Sequence, residues 1–178
     1  MGHRRLILDK IDSILDATDV ALDKELTSLV DSASRIFIAG AGRSALVARF
    51  FAMRLMHGGY NVFVVGEIVT PSISKDDLLI VISGSGETET MLAFAKRAKE
   101  LGAKLVLISS RTSSTLGDLS DRVITIGKPE MYTKVVGMPM GTVFELSTLT
   151  FLEATISHII HERGIPEEEM RARHANLE

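Results

Sequence analysis

Leu78-Leu79-Ile80-Val81-Ile82-Ser83-Gly84-Ser85-Gly86-Glu87-Thr88, followed by a helical pattern from Met91 to Leu101, is the stretch on which the fold turns. Five consecutive apolar residues fit a strand covered on both faces. The strand ends in small hydroxyl residues and glycines, which leave backbone N–H and side-chain O–H groups open at close range. A helix starting there adds the positive end of its dipole. The stretch therefore reads as a phosphate cradle. A second one lies upstream, where Arg35-Ile36-Phe37-Ile38-Ala39 runs into Gly40-Ala41-Gly42-Arg43-Ser44 and another helical pattern. Two such loops in one small chain imply a single shared site.

Outward from these loops the chain alternates. The patterns predict strands at Arg35–Ala39, Asn61–Val65, Leu78–Ser83, Lys104–Ser109 and Arg122–Ile126, with helices at Ser44–His57, Glu87–Leu101 and Ser114–Leu119. Five short strands joined through helices imply an α/β fold with a parallel sheet covered on both faces. Residues 4–30 carry helical spacing, and Gly127 to Gly141 reads as a loop that suits a lid or a connector, with Tyr132 and Lys134 in it. Thr142 to His161 predicts a helix with almost no polar face, buried on several sides and suited to packing against another subunit. No repeat or linker divides the chain.

At 178 residues, with 46% hydrophobic but 5% aromatic content, the chain suits one domain with an aliphatic core. A formal charge of -3 offers no general attraction for nucleic acid or anionic lipid, so an anion must be bound locally. The absence of cysteine removes disulfides and thiol chemistry and fits a reducing, cytoplasmic setting. No stretch reads as the roughly 20 apolar residues of a membrane span. Met1-Gly2-His3-Arg4-Arg5 leads into no signal-peptide core, and Leu6 stands where a myristoylation signal has Ser or Thr.

Gly40-Ala41-Gly42-Arg43-Ser44-Ala45 also fits the permissive dinucleotide pattern, with Glu67 as a ribose contact. The second cradle argues for a single phosphate and a small polyol instead. Glu145 interrupts an apolar helix, where an unpaired charge is costly; it serves either as a desolvated general base or as one half of a helix–helix ion pair. His57 precedes Gly58-Gly59 and either caps its helix or works at a site. Arg43 faces a phosphate or a surface carboxylate, and Glu87 favours its own helix N-terminus. His158, His161 and Glu162 have weak zinc spacing with no third ligand evident. Met53, Met56, Met138 and Met140 read as core or loop packing.

Ser83-Gly84-Ser85-Gly86-Glu87-Thr88 with Gly42-Arg43-Ser44 resembles the sugar isomerase (SIS) domain family. More narrowly, Ala52-Met53-Arg54-Leu55-Met56-His57 through Tyr60-Asn61-Val62, Gly141-Thr142 with Phe144-Glu145-Leu146, and Ala172-Arg173-His174-Ala175 are similar to the 6-phospho-3-hexuloisomerases. The resemblance covers nearly the whole chain. It implies one SIS domain over residues 1–178, a flavodoxin-like three-layer sandwich with a five-stranded parallel sheet, an N-terminal helical segment about 4–30 and C-terminal helices about 142–174. It also implies a homotetramer working without metal or organic cofactor. The implied reaction interconverts D-arabino-3-hexulose 6-phosphate and fructose 6-phosphate, in formaldehyde fixation through ribulose monophosphate or its reversal. By the same resemblance, Ser44, Ser83, Ser85 and Thr88 bind the phosphate, with Arg43 beside them and Gly84 and Gly86 giving backbone access. Glu145 is then the base, and His57 assists at the sugar oxygens, in its own or a neighbouring subunit's site. The rival readings are a non-catalytic phosphosugar sensor and an isomerase for arabinose 5-phosphate or sedoheptulose 7-phosphate.

Overall fold

The computed structural model describes residues 2–177. Two N-terminal helices, α1 (His3–Asp16) and α2 (Ala21–Asp31), lead into β1 (Ile36–Gly40), α3 (Arg43–His57) and β2 (Val62–Val64). There follow β3 (Leu78–Ile82), α4 (Glu89–Glu100), β4 (Lys104–Ser109), α5 (Thr115–Leu119) and β5 (Arg122–Thr125). A 3-10 turn at Pro129–Met131 precedes α6 (Thr142–Arg163) and α7 (Glu167–Ala172). All five strands run parallel in the order β2-β1-β3-β4-β5. That is the doubly wound, flavodoxin-like order, and it reverses at the β1–β3 pair.

Period-two alternation divides the strand side chains between two cores. Ile36, Ile38, Ile80, Ile82 and Ile108 face α1, α2, α3 and α6. Phe37, Ala39, Val81, Leu105 and Leu107 face α4 and α5. The sheet is thus the middle of three layers.

Helix α6 is 22 residues long and apolar enough to cross a membrane by length and composition, contrary to the reading that no stretch approaches that size. Here its Phe144, Phe151, Leu152, Ile156 and Ile159 are buried in the core with α1, α2 and α3. Gly164 ends it in the left-handed conformation. Its outer side carries Thr150, Ala154 and Ser157, so the unpartnered apolar surface lies elsewhere. Leu46, Phe50 and Met53 are exposed along α3 at i, i+4 and i+7. Met53, Met56 and Met140 are exposed too, and the core reading of these methionines is corrected. Tyr132 donates to the Ile126 carbonyl oxygen at 2.6 Å and sets its ring edge against Phe144, which pins the start of the loop before α6.

One buried ion pair fixes the entry to the two central strands. Asp77, 2% exposed, accepts from Arg35 Nε at 3.0 Å and Nη2 at 2.7 Å, and from the Ser74 N–H at 2.7 Å. Burial pushes the Asp77 carboxyl up, but hydrogen bonds from Arg35 and Ser74 outweigh it and hold the group below its ordinary range. Asp77→Ala is expected to cost about 2–3 kcal/mol in urea unfolding at neutral pH, less than for a wholly buried pair because the Arg35 side chain is 27% exposed. Since the folded-state value lies below the unfolded one of about 3.9, this contribution is complete above that pH and is lost as pH falls through the folded value. The gap between wild type and variant therefore narrows below about pH 4.

Candidate active site

Gly40 pairs with Ile82, so β1 and β3 end level and their loops leave the sheet side by side at the reversal of strand order. A Cβ on Gly40 would stand 2.8 Å from the Ser44 carbonyl carbon and 2.9 Å from the Ala45 nitrogen. Only glycine lets α3 start this close to the strand end. Gly42 caps α3 without a side-chain hydrogen bond, and Ser44, 9% exposed, sits in the first turn.

The second loop is braced internally. Ser83 Oγ accepts from the Gly86 N–H at 3.2 Å and meets Thr88 Oγ1 at 3.2 Å, while Ser85 Oγ accepts from the Glu87 N–H at 3.2 Å. Thr88 precedes α4 without capping it. Two hydroxyls that residue pattern alone did not single out support the loop from β4: Ser109 and Ser110 donate to the Gly84 carbonyl oxygen at 3.1 and 2.7 Å. Their signal was an apolar strand running into hydroxyl residues, as β3 runs into Ser83. Glu87 is corrected: α4 begins only at Glu89, and the Glu87 carboxylate instead accepts from the Thr115 N–H at 2.9 Å, at the start of α5. Hydrogen bonds from the Thr115 side chain and N–H hold it below the usual carboxylate range.

Helix α6 brings its first turn to the same place. A Cβ on Gly84 would stand 2.9 Å from the Phe144 ring, and Arg43 Nε lies 3.5 Å from Glu145 Oε2. The N-termini of α3, α4 and α6 thus converge, all three without a side-chain cap. Open N–H groups and aligned dipoles of this kind suit an anion. Arg43 faces the Glu145 carboxylate here, with its own side chain 57% exposed toward solvent. Glu145 Oε2 is buried, and no donor among the described residues hydrogen-bonds to it. The carboxylate is therefore held by the Arg43 ion pair at the start of α6, with one oxygen shielded from solvent.

Glu145 can fold back over the helix start only because residue 141 is glycine. Gly141 has φ 85°, and a Cβ there would lie 2.7 Å from Glu145 Oε1. Glu67, the ribose ligand of the dinucleotide reading, pairs with Arg49 at 2.7 Å.

His57 is not part of this cluster. It ends α3 thirteen residues after Ser44, roughly 20 Å along the axis at about 1.5 Å per residue. It is 4% exposed and stacks on His174 beside a cavity of about 440 Å³ that Arg54, Glu153 and Arg171 also line. Among the described residues no three His, Asp or Glu side chains group so as to hold a metal ion, and His158 and His161 gain no third ligand.

Gly141→Ala is expected to displace the Glu145 carboxylate, with a chemical-shift change at Glu145 Cδ in ¹³C NMR and a loss of stability of about 1–3 kcal/mol.

The SIS domain family model matches residues 29–154. A 3-hexulose-6-phosphate isomerase of Methylomonas aminofaciens is 52% identical over 99% of this chain and 98% of its own. That of Bacillus subtilis is 40% identical over 86% of this chain and 85% of its own. A crystal structure from Methanococcus jannaschii, from which a 3-hexulose-6-phosphate isomerase function was inferred, superimposes with a TM-score of 0.89 at 36% identity, each chain covered in full. Family model, relatives and converging loops agree: the chain belongs to the SIS domain family, in the group that includes these 3-hexulose-6-phosphate isomerases.

Proposed function

We propose that this protein interconverts D-arabino-3-hexulose 6-phosphate and fructose 6-phosphate. The observation that carries the reading is the under-partnered carboxylate of Glu145 beside three uncapped helix N-termini. A phosphate held by Ser44, Ser85, Thr88 and the N–H groups of both loops, with Ser83 setting the loop's shape, anchors one end of the sugar. Glu145 then takes the proton from C2 of the 3-ketose, leaving an enediolate across C2 and C3, and returns it to C3. C2 is oxidised as C3 is reduced, so nothing enters or leaves. The enediolate oxygens exchange one proton, O2 losing it as O3 gains it. Arg43, the cation nearest the carboxylate, stands where that negative charge develops. A sensor would gain nothing from a costly buried carboxylate.

His57 lies too far from its own chain's Glu145 to serve the oxygens there. The exposed stripe Leu46, Phe50 and Met53 lies between the two. A second copy packed antiparallel on this stripe brings the partner subunit's His57 to the first turn of α3. The reading is therefore an assembly of identical copies with shared sites, a homotetramer in the cytoplasm, acting without metal or organic cofactor and working in one-carbon assimilation or its reversal.

Two tests follow. Glu145→Gln is expected to lower kcat by 10²–10⁴ or more with KM nearly unchanged, measured by coupling fructose 6-phosphate to a dehydrogenase; full turnover in the variant rejects Glu145 as base. Co-expression of Glu145→Gln with His57→Ala, each inactive alone, is expected to restore a fraction of wild-type turnover through mixed assemblies. No recovery despite mixed assemblies, shown by mass spectrometry, rejects the shared site.

A further inference from the structure

Three donors meet at one carbonyl oxygen just past the end of β3. Ser109 and Ser110 Oγ donate to the Gly84 carbonyl oxygen at 3.1 and 2.7 Å, and the Ser110 N–H adds a third bond at 3.3 Å. A carbonyl oxygen has two lone pairs, so two donors would satisfy it. All three come from the end of β4, where both serines are buried. Ser109 Oγ is itself fixed, since it accepts from the Arg111 N–H at 3.1 Å. From α6 the Phe144 ring closes over Gly84, where a Cβ would stand 2.9 Å from it.

Joining the strands does not require this. The Ser83 N–H already reaches the Ile108 carbonyl oxygen at 3.0 Å and carries the β3–β4 ladder to the strand ends. What the three bonds fix is the next peptide plane. The Gly84–Ser85 peptide is trans, so the Ser85 N–H runs antiparallel to the Gly84 carbonyl. The carbonyl points to β4, and β1 lies on the opposite side of β3. The Ser85 N–H is thus turned away from β4, toward the side of the crevice where the β1 loop lies, and it makes no hydrogen bond among the described residues. Hydrogen bonds accepted by a carbonyl also polarise its own amide and strengthen the N–H as a donor.

We propose that Ser109 and Ser110 are positioning residues for the phosphate: they aim the Ser85 N–H into the crevice and strengthen it as a donor to a phosphate oxygen. The proposal rests on the reading of the β3 loop as a phosphate cradle, and not on which sugar the phosphate carries. Neither serine side chain touches the ligand in this arrangement. Their effect is on binding, so it enters KM and leaves kcat to Glu145.

The test follows the Ser85 amide by ¹H–¹⁵N NMR as inorganic phosphate is added to wild type, Ser110→Ala and the double variant Ser109→Ala/Ser110→Ala, with kcat, KM and melting temperature read alongside. In the wild type the amide proton is expected to move downfield and saturate. In the double variant phosphate affinity is expected to fall about three- to tenfold, with a matching rise in KM and kcat within about twofold. Ser110→Ala keeps two of the three donors and is expected to lie between; it decides by the same readouts if the double variant does not fold. A Ser85 amide that does not respond to phosphate in the wild type overturns the proposal, as does wild-type phosphate affinity in the double variant. A lower melting temperature with phosphate affinity and KM unchanged makes the contacts structural and overturns it too. A wild type whose amide responds to phosphate but which makes no fructose 6-phosphate rejects the reaction alone and leaves this inference supported.

Discussion

The structure depends on one constraint, the level ending of two adjacent parallel strands. Ladder pairing of β1 with β3 holds Gly40 opposite Ile82, and strand order reverses there, so helices leave to opposite faces and open a crevice between them. Glycines and serines at the two strand ends then need only be small. A bulkier side chain on Gly40 would drive α3 outward and break the site without touching any ligand-binding group. The third component, α6, is brought in by burial alone: its apolar length has nowhere to go but onto the sheet face between α2 and α3, and this delivers Glu145 to the crevice.

Much of this was legible in residue pattern. Five apolar runs separated by helical spacing gave the parallel sheet, and the two strand–loop–helix transitions located the crevice. Glu145 stood out as a charge where charge is expensive. What failed was direction. Spacing shows that α3 is amphipathic but not that Leu46, Phe50 and Met53 point to solvent, because the apolar residues on its other side, Val47, Ala48 and Phe51, are equally apolar. Glu87 was misread because its partner, Thr115, lies 28 residues away and local rules see only the nearer helix. The separation of His57 from Glu145 follows from helix length, whereas the His174 contact depends on a chain reversal that no local pattern encodes.

The rim of the cradle also shows how charge is arranged. Glu87 turns toward the N-terminus of α5, where the Thr115 N–H takes it. The carboxylate stays ionised, and its charge is met by the Thr115 N–H and side chain and not by the cradle N–H groups. Glu145 turns inward at the start of α6, where its nearest cation is Arg43. The two acids sit within one crevice and have opposite fates, set by which donor each can reach.

Three helix starts without side-chain caps have a consequence for how the ligand arrives. A chain of charge -3 casts no long-range attractive field for a phosphate ester. On the proposed reading, the peptide dipoles and hydroxyls that would hold the ligand are fixed by the backbone and act little beyond the last turn. Encounter is left to ordinary diffusion, and recognition begins only at contact. On that reading, capture of the ligand would depend on ionic strength only through local charges such as Arg43 at the crevice.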